Sequence, residues 1–75
     1  MNIKIVRKNN SENIVNLKQV TNVLVNESKT LFELKSGQDT IGVINSDTRV
    51  IYFSSAEHDI DFDKIEEFLE HYVGE

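Results

Sequence analysis

The side chains best equipped for chemistry gather in the last third of the chain. Asp59, Asp61 and Asp63 alternate along it, and Glu70 stands at the twelfth position counted from Asp59. Carboxylate oxygens at such spacing are what a hard divalent cation prefers as ligands. Glu57-His58-Asp59 sets an imidazole between two carboxylates, a neighbourhood suited to a general acid, and His71 follows further on. General acid–base catalysis needs a convergent set of groups, however, and no Ser or Lys is tied to either histidine by a motif. The absence of cysteine removes thiol nucleophiles, disulfides and thiolate metal sites. Gly37, Gly42 and Gly74 form neither a dinucleotide fingerprint nor a phosphate-cradling loop. The expectation is a protein with no catalytic residues and no cofactor.

Residues 59–70 resemble the calcium loop of EF-hand proteins, in which ligands occupy the first, third, fifth and twelfth positions. That resemblance implies divalent-cation binding by Asp59, Asp61, Asp63 and Glu70. It covers these twelve residues alone, and within them Lys64 replaces the sharp-turn glycine and Glu66 the usual apolar eighth residue. The segment before Asp59 has a strand pattern where the loop needs a helix. The same carboxylates make a better helix start, since each offsets the positive end of the helix dipole by roughly 0.3–1 kcal/mol. Capping and solvation therefore rank ahead of metal ligation.

That helix is the clearest element. Phe62, Ile65, Phe68, Leu69, Tyr72 and Val73 fall within an arc of about 140° on a helical wheel, with Asp63, Glu66, Glu67 and Glu70 opposite. The pattern predicts an amphipathic helix over about 61–73. Its start is signalled by Asp61, with Ile60 stapled to Ile65, or by Asp63 in a capping box with Glu66; Gly74 is its stop.

Upstream, periodicity changes to two. Ile3 and Ile5 flank Lys4 in a first strand, 13–20 reads as an irregular strand or bent connection, and 21–26 as a strand. Strands at 30–35, 40–44 and 49–54 follow, separated by Ser36-Gly37 and by Asn45-Ser46-Asp47-Thr48. The expected fold is α+β: a curved antiparallel sheet of about five strands over 1–55, a meander from about 21 to 54, packed against the C-terminal helix. If the last turn closes a hairpin, Val43 faces Val50 and Ile41 faces Tyr52. Ile51 and Phe53 then lie on the opposite face beside Gly42. A strand apolar on both sides must be covered on both sides. The helix supplies one cover, leaving Ile51 and Phe53 for sheet curling, promoted by Gly42, or for a partner.

The chain has 75 residues, 39% of them hydrophobic, with no linker or repeat, and reads as one complete domain over 1–75. Its longest apolar run, 50–53, is far short of the roughly 18 residues of a membrane span or the 7–15 of a signal-peptide core. No membrane association and a cytoplasmic location are expected. A domain of this size buries only about 60% of its unfolded surface, so a second copy would add stability.

Net charge is −5, unevenly placed. Residues 57–75 carry eight acidic groups against Lys64 alone, a net of −7; residues 1–56 carry seven basic and five acidic, a net of +2. The acidic field opposes direct nucleic-acid binding, which rests on phosphate neutralisation. The reading that follows is a non-enzymatic protein-binding or self-associating module, a candidate homodimer, of a size that fits an accessory protein of a phage or mobile element. Its partner-binding residues would be Glu66, Glu67 and Glu70 on the helix and Ile51 and Phe53 on the sheet. The first alternative is an acidic decoy whose carboxylate stripe imitates DNA phosphates to block a nucleic-acid-binding protein; weak divalent-cation binding is the second.

Overall fold

The computed structural model describes residues 1–74. Strands β1 (Asn2–Val6) and β2 (Glu12–Asn16) form a hairpin, and a 3₁₀ turn at Leu17–Gln19 leads to β3 (Asn22–Val25). Next come β4 (Leu31–Ser36), β5 (Asp39–Asn45), β6 (Arg49–Ser54) and β7 (Ala56–Ile60). A second 3₁₀ turn, Phe62–Lys64, feeds helix α1 (Ile65–Tyr72). The chain is mostly antiparallel sheet with one C-terminal helix, but seven strands divide between two sheets, in the orders β2-β1-β6-β7 and β3-β4-β5.

The meander therefore ends at β5. Ile41 and Val43 do not face β6, which pairs instead with β1 (Ile3↔Tyr52, Ile5↔Val50) and β7 (Tyr52↔His58, Val50↔Ile60). The turn at 45–48 is tight and polar as expected. Thr48 N–H donates to the Asn45 carbonyl at 3.1 Å and Asp47 N–H to Asn45 Oδ1 at 2.8 Å. It serves as a corner between sheets. A strand apolar on both faces gains more as an inner strand than at a sheet edge, and β6 has β1 on one side and β7 on the other.

Other turns follow local chemistry. Gly37, at φ 63°, occupies the two-residue loop between Ser36 and Asp39, where a primed hairpin turn requires positive φ. Asn26 Oδ1 accepts from the N–H groups of Thr30 (2.8 Å) and Leu31 (3.1 Å), shaping the β3–β4 loop. Residues 13–20 divide as the irregular reading implied: β2 runs into the 3₁₀ turn, where Leu17 N–H donates to the Met1 carbonyl at 2.8 Å and Lys18 N–H to Asn16 Oδ1 at 3.0 Å.

Inside lie Ile3, Ile5, Val15, Leu17 and Val50 from the larger sheet and its 3₁₀ turn, Phe32, Leu34 and Ile44 from the smaller, and Ile65 and Leu69 from α1. The sheets meet at Gly42. A Cβ there would sit 3.0 Å from Ile5 Cδ1 and from Val15 Cγ2, so this glycine permits the close approach of two sheets rather than the curl of one.

The helical segment differs in detail from its expected span. Its first turn is 3₁₀, and α1 proper begins at Ile65. Neither Asp61 nor Asp63 caps it through a side chain, so the capping box with Glu66 does not form. Asp61 contributes its carbonyl instead, accepting from Lys64 N–H at 2.9 Å. Val73 N–H donates to Leu69 O (3.0 Å), and Gly74 N–H, at φ 93°, to Leu17 O (2.9 Å), tying the helix end to the first 3₁₀ turn. No helix among the described residues is long and apolar enough to cross a membrane.

Candidate partner-binding surfaces

Ile51 and Phe53 do share the outer face of the larger sheet, with β1 rather than Gly42 beside them. They are not equally available. Ile51, in register between Lys4 and Asp59, keeps only 5% of its surface exposed, whereas Phe53 keeps 40%. Two cross-strand ion pairs occupy the same face. Lys4 Nζ lies 3.5 Å from Glu57 Oε1 and 5.8 Å from the Phe53 ring centre, and Arg49 reaches Asp59 at 3.0 and 3.2 Å. Ile51 is thus withdrawn as a contact residue, because folding already covers it.

The second surface is a row of rings joining β6 and β7 to α1. Tyr52 stacks on His58 (centroids 4.9 Å apart, planes at 22°) and meets Phe68 at 5.5 Å; Phe68 meets Tyr72 at 4.8 Å, and Tyr72 meets His71 at 4.6 Å. A cleft of about 360 Å³ opens beside it, lined by Tyr52, Phe68 and Tyr72 together with Asp61 and Glu67. His58 lies on β7, with Nε2 3.2 Å from the Ser54 carbonyl oxygen. Both histidines serve in ring packing. Part of the row was legible in advance, since Phe68 and Tyr72 stand four apart on a helix. Tyr52 and His58 meet only through the β6–β7 register.

The third surface joins β3 to α1. A cleft of about 400 Å³ runs between them, with Val23, Val25 and Phe32 on the sheet side and Leu69 and Val73 on the helix side. Glu66 and Glu70 line its helical wall. Glu66 is already engaged: Lys29, held at φ 57° in the β3–β4 loop, places Nζ 3.1 Å from its Oε1. Glu70 has no ion-pair partner among the described residues. β3 is also an edge strand of its sheet. Of the four outer strands, β2 carries Glu12, β5 carries Asp39 and β7 carries Glu57 and Asp59, while Asn22-Val23-Leu24-Val25 carries no charge. Charged side chains are the usual protection of a sheet edge. β3 lacks it, with Leu24 47% and Val25 39% exposed. The sequence marks 21–26 as a strand but not as an edge, because edge and centre look alike until pairing is known.

The acidic groups named from sequence do not converge. Asp59 is paired with Arg49, and Asp61 and Asp63 stand at the 3₁₀ entry to α1. Glu70 lines the β3 cleft, Glu67 shares the aromatic one with Asp59 and Asp61, and Glu67 and Glu70 flank a smaller depression with His71. Among the described residues no group of three or more His, Cys, Asp or Glu side chains stands close enough to hold a metal ion. No protein-family model, curated protein or solved structure matches the chain.

Proposed function

We propose that this chain is a non-catalytic binding module whose working surface is the β3 edge and its cleft with α1. The observation carrying the reading is the coincidence of an uncharged open strand with an apolar cleft walled by carboxylates. Such an edge offers main-chain hydrogen bonds, and the cleft offers apolar area and sign. Together these are the ingredients of recognition by strand addition. Catalysis draws no comparable support, since neither larger cleft sets a histidine beside a nucleophile. The acidic-decoy alternative is weaker than the sequence implied. Eight residues of α1 span about 12 Å, and of its three glutamates one is engaged by Lys29, which leaves Glu67 and Glu70 beside His71 as too short a run to imitate a DNA strand. Divalent-cation binding is weaker too, since Asp59 and Asp61 share a cleft that Glu70 does not line and Asp59 is engaged by Arg49.

Affinity capture from the native host with three baits tests the proposal: the parent chain, Leu24→Lys on the open edge, and Phe53→Lys on the outer face of the larger sheet. A protein retained by the parent and by Phe53→Lys but lost by Leu24→Lys is the expected result. Equal retention by all three, or no retained protein with a monomer in light scattering at high micromolar concentration, overturns it.

A further inference from the structure

We infer that the β3 edge takes an extended peptide of alternating basic and apolar residues as a fourth strand of the smaller sheet, with the basic side chains seated between β3 and α1, where Glu70 has no ion-pair partner among the described residues. This rests on the binding-module reading and adds the chemistry of the partner.

The main chain sets the register. Asn26 N–H donates to Leu31 O at 3.3 Å, and the ladder pairs Leu24 with Glu33 and Asn22 with Lys35 two residues apart along the strand. Alternation then directs the N–H and C=O groups of Asn22 and Leu24 toward β4 and those of Val23 and Val25 toward the open side. Asn22 Oδ1 accepts from the Val23 N–H at 3.0 Å. The Val23 carbonyl and both main-chain groups of Val25 are therefore the docking points for an incoming strand.

The side chains set the composition. Residues directly opposite one another in an antiparallel pair share a face, so positions opposite Val23 and Val25 enter the cleft and the position opposite Leu24 turns outward. Inside, the newcomer meets Val25, Phe32 and Leu69 and then the carboxylates of Glu66 and Glu70. A lysine or arginine fits this sequence of surfaces, because its aliphatic stem lies on apolar groups while its head reaches a charge. Lys29 shows that a lysine head reaches this wall, its Nζ 3.1 Å from Glu66 Oε1. Outside, an apolar residue extends the row formed by Leu24 and by Val43, 39% exposed, across Glu33. A second copy of this chain is the poorer occupant. Its own β3 has no cation to offer Glu70, and two chains of net charge −5 repel.

The test uses the full chain and three short fluorescein-labelled peptides: an Arg-Ile repeat, a Glu-Ile repeat, and the Arg-Ile repeat interrupted by proline, which removes a ladder donor. Fluorescence anisotropy is expected to show the Arg-Ile peptide binding at least tenfold more tightly than the other two. Glu70→Gln should weaken it about two- to fivefold, the range for one exposed ion pair. Hydrogen exchange at the Val25 amide should slow on binding. Equal affinity of the proline-interrupted peptide overturns strand pairing in favour of diffuse charge attraction. A slow Val25 amide in the peptide-free chain, together with a dimer in light scattering, overturns it in favour of self-association. If no peptide binds while Leu24→Lys still loses a host protein, the basic-strand chemistry fails and the binding-module reading survives. If Leu24→Lys loses nothing, the module reading itself fails.

Discussion

Gly42→Ala probes the junction on which the two-sheet arrangement depends. The added methyl would lie 3.0 Å from Ile5 Cδ1, 3.0 Å from Val15 Cγ2 and 3.3 Å from Leu34 Cδ1. Carbon atoms in good contact stand about 3.5–4.0 Å apart, so each neighbour must retreat by several tenths of an ångström. Ile5 and Leu34 have no exposed surface to retreat into. Their terminal methyls can still rotate, but the methyl of β-branched Val15 is held by its χ1 preference. Overpacking of this kind costs about 1–3 kcal/mol, offset by about 0.4–1 kcal/mol from the stiffer unfolded chain. At the middle of both ranges the expected net loss is about 1.3 kcal/mol, or about 5–10 °C in Tm for a domain of this size. Thermal and urea unfolding followed by circular dichroism would measure it. Ile5→Val removes one of the colliding methyls and alone should cost about 0.5–1.5 kcal/mol. Combined with Gly42→Ala it should cost less than the sum, with a coupling of at least about 0.5 kcal/mol. A neutral or stabilising Gly42→Ala, or strict additivity, would refute the close packing of the sheets at this point.

Ile65→Ala, at a helix position with no exposed surface, should cost about 2–5 kcal/mol of a total stability of about 4–11 kcal/mol, read from the urea midpoint. A loss below about 1 kcal/mol would mean that α1 does not seal the core. The Arg49–Asp59 pair, both side chains more than half exposed, should show a double-mutant coupling of no more than about 1 kcal/mol that fades as salt is raised. Calorimetry with millimolar calcium or magnesium should give no binding heat and no rise in Tm, because Asp59 is engaged by Arg49 and Glu70 lines a different cleft. Saturable heat with a raised Tm would restore the loop reading of 59–70.

Local chemistry was readable wherever a short window decides the outcome. The period of two in Ile3-Lys4-Ile5, the Ser36-Gly37 turn and the helical stripe from Ile65 to Tyr72 all correspond to elements of the fold. Each is a property of neighbouring residues: which side chains share a face, or which backbone needs positive φ. The strand at 56–60 was harder to see. Glu57, His58 and Asp59 have poor strand propensity, and they form β7 because β6 presents an edge for them to pair with. The candidate site divides in the same way. Glu66 and Glu70 are legible as an acidic stripe, while the 5% exposure of Ile51 is not, because it depends on the strands that pair on either side of β6.

What the sequence determined by itself is therefore the inventory: strands, turns, one amphipathic helix, and an excess of negative charge in the last nineteen residues. What only the tertiary structure decided is the pairing. The same two-residue turn at Ser46-Asp47 can close a hairpin or turn a corner, and nothing within it prefers one. The choice falls to β6, whose Val50 and Ile51 are buried on opposite faces and which lies between β1 and β7. That long-range choice parts the sheets, and the three-stranded sheet ends at β3. An uncharged strand beside the carboxylates of α1 is thereby left open at an edge. The physical reason is that burying both faces of an inner strand is a property of the assembled fold and has no local signature in the chain.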